Sequence, residues 1–223
     1  MDDKKWEKLA ALGGVVFVVL NLVGIIAPGS PPSADDTNDE VLKWFVDNAS
    51  GIKIAALMPG LSIIALVWWF GSLWRRMSKA ENGNHRLSVV ALVGLAASGA
   101  LYLASVSVVA TVAIQVDEVG ADPAKFFYVL SAVLLSMAGP FLAVHLLGVN
   151  AIALRSGFLP KWVGYLGVFS AVLQASSLLG ATTDADPATL LGFAAFITWS
   201  VWILVVSIHM WRTAEVNLSL IHI

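Results

Sequence analysis

The sequence predicts an all-α fold: a polytopic transmembrane bundle of six helices with a short outer surface helix. Three observations predict it. Hydrophobic residues make up 58% of the 223 residues and charged ones 13%, about half the charge load of a soluble domain. Six runs, at residues 9–27, 54–74, 87–116, 126–154, 162–180 and 188–211, contain no Asp, Glu, Lys or Arg. Each reaches the roughly 20 apolar residues that carry a helix across a ~30 Å hydrocarbon core. Finally, the charges are sorted between alternate loops. Lys4, Lys5, Lys8, Arg75, Arg76, Lys79, Arg86, Arg155, Lys161 and Arg212 share one side with both termini, leaving only Lys43, Lys53 and Lys125 opposite. The second side is acidic, with Asp35, Asp36, Asp39, Glu40, Asp47, Asp117, Glu118, Asp122, Asp184 and Asp186. Lys and Arg near helix ends stay cytoplasmic, so the expected location is the bacterial inner membrane, with both termini inside and an even number of spans.

The first run follows three lysines, as a signal peptide does. Its length, and Pro28 just after Ala27 where cleavage would fall, favour an uncleaved helix. The Pro28-Gly29-Ser30-Pro31-Pro32 segment ends it, because proline lacks an amide donor and clashes with the preceding turn. Thr37-Asn38-Asp39-Glu40 has capping-box spacing. Residues 38–48 therefore read as a separate helix on the outer surface, with Asp39, Lys43 and Asp47 on its wet side; the functional alternative is a lid over an outward cavity.

The second run is interrupted by Pro59-Gly60 and is expected to close at headgroup level with Trp68, Trp69 and Trp74. The third and fourth runs, 30 and 29 residues long, span ~45 Å as helices and must tilt or project. Gly94 and Ser98 on the third permit close approach of another backbone, either within the chain or in a homo-oligomer. Gly139-Pro140 interrupts the fourth. Kinks at Pro59 and Pro140 read as packing features or as the broken helices of a transporter, but a three-plus-three repeat would require a matching proline in the fifth helix, and none is present. Asp186 and Pro187 give the sixth helix an ordinary start.

Chemistry is constrained by what is missing. The chain has no cysteine, so thiolate nucleophiles, disulfide exchange and cysteine metal sites are excluded. No ionisable carboxylate, lysine or arginine lies inside a run, which argues against ion-coupled transport through a buried charge. The intramembrane polar candidates are Asn21, His145, Asn150 and Gln174. His145 and His209 lie at different depths, so a haem or metal site between them is disfavoured, and no cofactor, metal or catalytic residue is assigned. Gly60-Leu61-Ser62-Ile63-Ile64 lacks the last glycine of a nucleophile elbow, and Ser62 reads as a helix hydroxyl bonding back to its own chain. The basic clusters are those that topology requires, so the bilayer and not nucleic acid is the partner. Asn21 lies 13 residues past Lys8 and Gln174 13 past Lys161. Equal depth suggests that the first and fifth helices are neighbours joined by these amides, directly or through Ser176 or Tyr102.

The turn Arg155-Ser156-Gly157-Phe158-Leu159-Pro160-Lys161-Trp162-Val163-Gly164 resembles the corresponding turn of small six-helix integral membrane proteins, common in actinobacteria, that are classed as domains of unknown function. The resemblance implies a membrane location and no known activity. The last six residues, 218–223, resemble a translated sequencing adapter, which would place the native end near Asn217. The expected role is a non-enzymatic membrane protein binding a lipid-like or apolar ligand or a membrane partner. A small-molecule permease is the alternative, and an enzyme acting on a lipid substrate comes third.

Overall fold

In the computed structural model, residues 3–33, 35–182 and 186–214 are described; the adapter-like 218–223 lie outside them. Six helices follow one another: α1 Asp3–Ile26, α2 Asn38–Ala80, α3 Arg86–Ile114, α4 Ala121–Ser156, α5 Lys161–Ser176 and α6 Asp186–Thr213. A 3₁₀ turn, Ser177–Ala181, extends α5. All six are long and apolar enough to cross a membrane, and the protein is a multi-pass membrane protein. Its outer surface is accordingly apolar, with Val16, Ile64, Val67, Val93, Tyr165 and Leu190 exposed.

Each helix packs on its neighbours in sequence, α6 returns to α1 to close the ring, and α2 and α4 touch across the middle. The start of α1, the end of α2 and the end of α6 meet. Arg75 and Arg76 of α2 reach Glu7 of α1 at 3.1 and 3.5 Å, and Arg76 donates to the Met210 carbonyl at 3.0 Å and to the Thr213 hydroxyl. That carbonyl, in the last turn of α6, also accepts from the Ala214 amide at 3.1 Å.

The expected surface helix is present, but not as a separate element. Thr37 and Glu40 form the capping box, and Val41 and Phe45 are buried while Asp39, Lys43 and Asp47 are exposed. The helix then runs without a break into the second span, giving 43 residues, or ~65 Å. Nothing between Asp39 and Met58 forbids helix, and Gly51 serves a close approach: a Cβ there would overlap the Ala27 carbonyl. With α4 at 36 residues, or ~54 Å, the two outreach a ~30 Å hydrocarbon core. At the acid-rich end they enclose, with α3, a second small core of Val41, Phe45, Ile52, Val112, Ala113 and Ala124.

The tryptophans of α2 divide as helical geometry requires, since adjacent residues point ~100° apart. Trp68 is 61% exposed and stacks on Trp6. Trp69, expected at the interface, is instead fully buried edge-to-face against Trp202.

Candidate functional site

Asn21, His145, Asn150 and Gln174 are all buried, and they fall into separate groups. Asn21 donates to its own helix at the Phe17 carbonyl, 2.8 Å, and to Ser62 Oγ on α2, 2.9 Å. Its Oδ1 accepts from the Tyr102 hydroxyl of α3 at 2.6 Å. Ser62 in turn donates to the Pro59 carbonyl at 2.8 Å, the back-bond expected from sequence. Three helices are thus tied by one amide whose two donors and acceptor are all used.

The Asn21–Gln174 pairing does not form. Gln174 donates to the Ala195 carbonyl of α6 at 3.0 Å, because the ring order gives α5 the neighbours α4 and α6 and places α1 between α2 and α6. Of the proposed intermediaries, Tyr102 binds Asn21 alone, and Ser176 bonds back to Leu173.

His145 and Asn150 belong to an aromatic interior lying toward the terminal end. His145 Nδ1 lies 2.9 Å from the Ala91 carbonyl of α3. A carbonyl only accepts, so Nδ1 carries the proton and Nε2 is a bare lone pair. Nε2 has no hydrogen-bond partner, and the ring packs edge-on against Phe70 and Trp202 at 5.5 and 6.1 Å. Asn150 donates to its own helix at Leu146, 2.7 Å, and accepts from Trp202 Nε1 at 3.2 Å. Gly167 of α5 lies so close to this amide that any side chain there would overlap it. His209 is partly exposed near the end of α6.

The two prolines sit where neighbouring elements cover the carbonyls they free. Pro140 deprives the Ser136 carbonyl of its helical donor, and Ser177 Oγ approaches that oxygen at 3.5 Å. Gly139 makes this possible, because a Cβ would occupy the place of the Ser177 hydroxyl. Pro59 likewise frees the Ala55 carbonyl, which lies against Gly24 of α1. Gly94 packs within the chain: its missing side chain leaves room for the Phe141 carbonyl and the His145 amide of α4, and Ser98 is buried.

A concavity of about 240 Å³ lies between α1 and α6. Ala11, Leu12 and Val15 form one wall, and Ser207, Ile208, Trp211 and Arg212 the other. Lys8 sits over the Trp211 ring at 5.3 Å from its centroid, at the end of the groove where Arg212 also stands. Behind it, Gly14 lets α1 settle on Ser207 Oγ and Trp69 Nε1, two buried polar atoms with no hydrogen-bond partner. A smaller recess of about 190 Å³ opens among Glu81, Asn84, Leu87 and Arg155. Glu81 there accepts from the Leu87 and Ser88 amides at 3.0 and 2.9 Å and from the Ser88 hydroxyl. Burial raises its pKa, yet these donors outweigh it and hold the carboxyl below its ordinary range.

Sequence reading located the polar residues, and named Tyr102 as one link from Asn21, but missed the roles of Arg76 and Trp202 and the groove. Arg76 read as a topology cation; its signal was Glu7, an acid between Lys5 and Lys8 in the first turns of α1. A groove between two helices leaves no motif, because its walls come from residues almost 200 positions apart.

A family model described as "Domain of unknown function (DUF4386)" matches residues 12–207, from within α1 to within α6. No curated protein matches the chain, and no solved structure does.

Proposed function

We propose that this chain, which belongs to the DUF4386 family, is a non-enzymatic integral protein of the bacterial inner membrane, with both termini cytoplasmic, that holds a lipid-like ligand between its helices. The observation that carries the reading is the α1–α6 groove. Its walls are mainly apolar and lie on the side of two membrane-crossing helices, so its contents come from the bilayer rather than from water. The interior polar groups support the same reading. Asn21, Asn150 and Gln174 hold helices to one another or bond along their own, as structural polar residues in membranes do. Cytoplasmic placement of the terminal end is supported by the cations Arg75, Arg76, Arg155 and Lys161, which cluster there.

Native mass spectrometry of the chain purified in mild detergent tests the ligand: a population retaining about one lipid mass per chain is expected. A chain that carries none, even after incubation with inner-membrane lipid extract, would sink the reading. A cytoplasm-dependent reporter fused after Glu81 gives signal and one fused after Val119 gives none; signal at the second site overturns the orientation.

A further inference from the structure

We propose that the recess between the ends of α2, α3 and α4 binds a phosphate ester that carries a primary amine, either the head group of an ethanolamine phospholipid or its water-soluble counterpart. The recess is separate from the α1–α6 groove and independent of what that groove holds. Leu87 and Ile152 form its apolar part. Leu87 opens the charge-free run 87–116, and Ile152 lies just before the end of the run 126–154. The recess therefore stands at head-group depth, where hydrocarbon gives way to water. Its volume is about 190 Å³, below the roughly 300 Å³ at which pockets for drug-sized ligands begin, so it takes a small polar group and not a whole lipid.

Two charges of opposite sign line this recess without meeting. Arg155 of α4 has no ion pair or hydrogen bond among the described residues. Glu81 is held by α3 instead: its Oε1 accepts from the Leu87 amide at 3.0 Å, and its Oε2 accepts from the Ser88 amide at 2.9 Å and from the Ser88 hydroxyl. An ionised carboxylate offers about four acceptor sites. Three are taken, and the open one is on Oε1. The connection from α2 to α3 fixes this arrangement, since Asn82, Gly83 and His85 all have positive φ and turn the chain so that Glu81 caps the helix that follows. Ser156 adds no donor, because its hydroxyl is committed to the Ile152 carbonyl at 2.8 Å. A ligand that satisfies both walls is anionic at one end and a hydrogen-bond-donating cation at the other. Phosphate oxygens meet the paired N–H groups of Arg155, the ammonium meets Glu81 Oε1, and the Asn84 amide, which lines the same recess, can donate or accept. Glu81 repels a simple anion and Arg155 a simple cation.

The test uses the delipidated full chain in detergent, incubated with equimolar phosphatidylethanolamine and phosphatidylglycerol of identical acyl chains and read by native mass spectrometry. Lipid in the α1–α6 groove adds the same background to both, because that groove presents no polar surface to a head group. Phosphatidylethanolamine adducts are expected to exceed phosphatidylglycerol adducts by about threefold or more, the effect of one exposed ion pair. Glu81→Gln keeps an acceptor for the α3 amides but loses the charge, and should bring the ratio to about one. Arg155→Gln, at an exposed residue, should lower phosphatidylethanolamine retention about fivefold, with helix content unchanged by far-ultraviolet circular dichroism. Lys161→Gln, at the same end but outside the recess, should change neither. Displacement of the lipid by excess glycerophosphoethanolamine supports the site with a soluble ester as its source; retention against that excess supports it with the bilayer as source. Equal retention of the two lipids by the unaltered chain overturns the assignment and leaves the groove reading standing, whereas retention of neither overturns both. A preference that survives both Glu81→Gln and Arg155→Gln also overturns it, because the head group is then read elsewhere.

Discussion

The seam between α3 and α4 is closed, whereas the seam between α1 and α6 is open over part of its length. Along the first, glycine meets backbone twice. Gly94 faces the Phe141 carbonyl and the His145 amide, and Gly148 faces the Leu87 carbonyl and Ala91. Polar groups then bond across it, His145 to the Ala91 carbonyl at 2.9 Å and Ser105 to the Ser131 carbonyl at 2.7 Å. Along the second, Gly14 gives one close approach, and Phe17 meets Trp199 edge-on at 5.1 Å. Beside the Gly14 contact, between Leu12 and Val15 of α1 and Ile208 and Trp211 of α6, a concavity remains. Lipid tails are as apolar as leucine, so membrane helices are drawn together by close fit and polar bonds rather than by hiding apolar surface.

The largest effect is expected at the closed seam. Gly94→Val places a branched side chain where the α4 backbone lies, and equilibrium unfolding in mixed micelles should show a loss of about 3 kcal/mol or more. Gly14→Val meets the Ser207 hydroxyl and the Trp69 indole, which have somewhat more freedom to shift; the same measurement should give about 2 kcal/mol. If this variant proves the more damaging, the open seam is as tightly specified as the closed one and the contrast fails.

A smaller effect concerns the start of α3. Glu81 caps its amides, and Glu81→Gln should cost about 1 kcal/mol at neutral pH. Because the folded carboxyl titrates below its ordinary range, the folded state binds fewer protons at this group. Its stabilisation is present above the ordinary carboxylate range and is lost as pH falls through the lowered value. The difference between the unaltered chain and Glu81→Gln should therefore shrink on acidification; a difference that grows would contradict the assignment. The smallest effect is expected at Gly71 on α2, where a Cβ meets nothing within 4 Å. Gly71→Ala should be neutral or stabilising by up to about 1 kcal/mol, and a loss there would show that something covers that face.

The six helices were legible because a charge-free run of sufficient length has few other fates. The same signal misjudged α2, since absence of charge marks the stretch facing hydrocarbon, not the stretch that is helical. Lys43, Asp47 and Lys53 mark where water begins and leave the backbone free to continue. Asn21 and Gln174 show a second boundary. Residue offsets give depth along a helix, but two amides at one depth still lie at different angles around the bundle, and angle follows from ring order. The prolines were visible at once, whereas their accommodation depends on Ser177 and Gly24, which touch them only after folding. Trp68 and Trp69 differ by one position and by the whole distance from lipid to core, a distinction that follows from helix phase and not from composition.

Because α2 is one helix, the small core at the acid-rich end and the arginine clamp at the other are opposite tips of a single lever. Pro59 lies near its middle, 21 residues from Asn38 and 21 from Ala80, where the internal hydrogen-bond ladder has a gap. A change of bend of only about 5° at that fulcrum carries either tip by ~3 Å over a ~32 Å arm. The tip at the basic end bears Arg76, which grips Glu7 on α1 and Met210 on α6, the two helices that form the groove. A change of bend at Pro59 would therefore shift the Arg76 contacts to both groove-forming helices together.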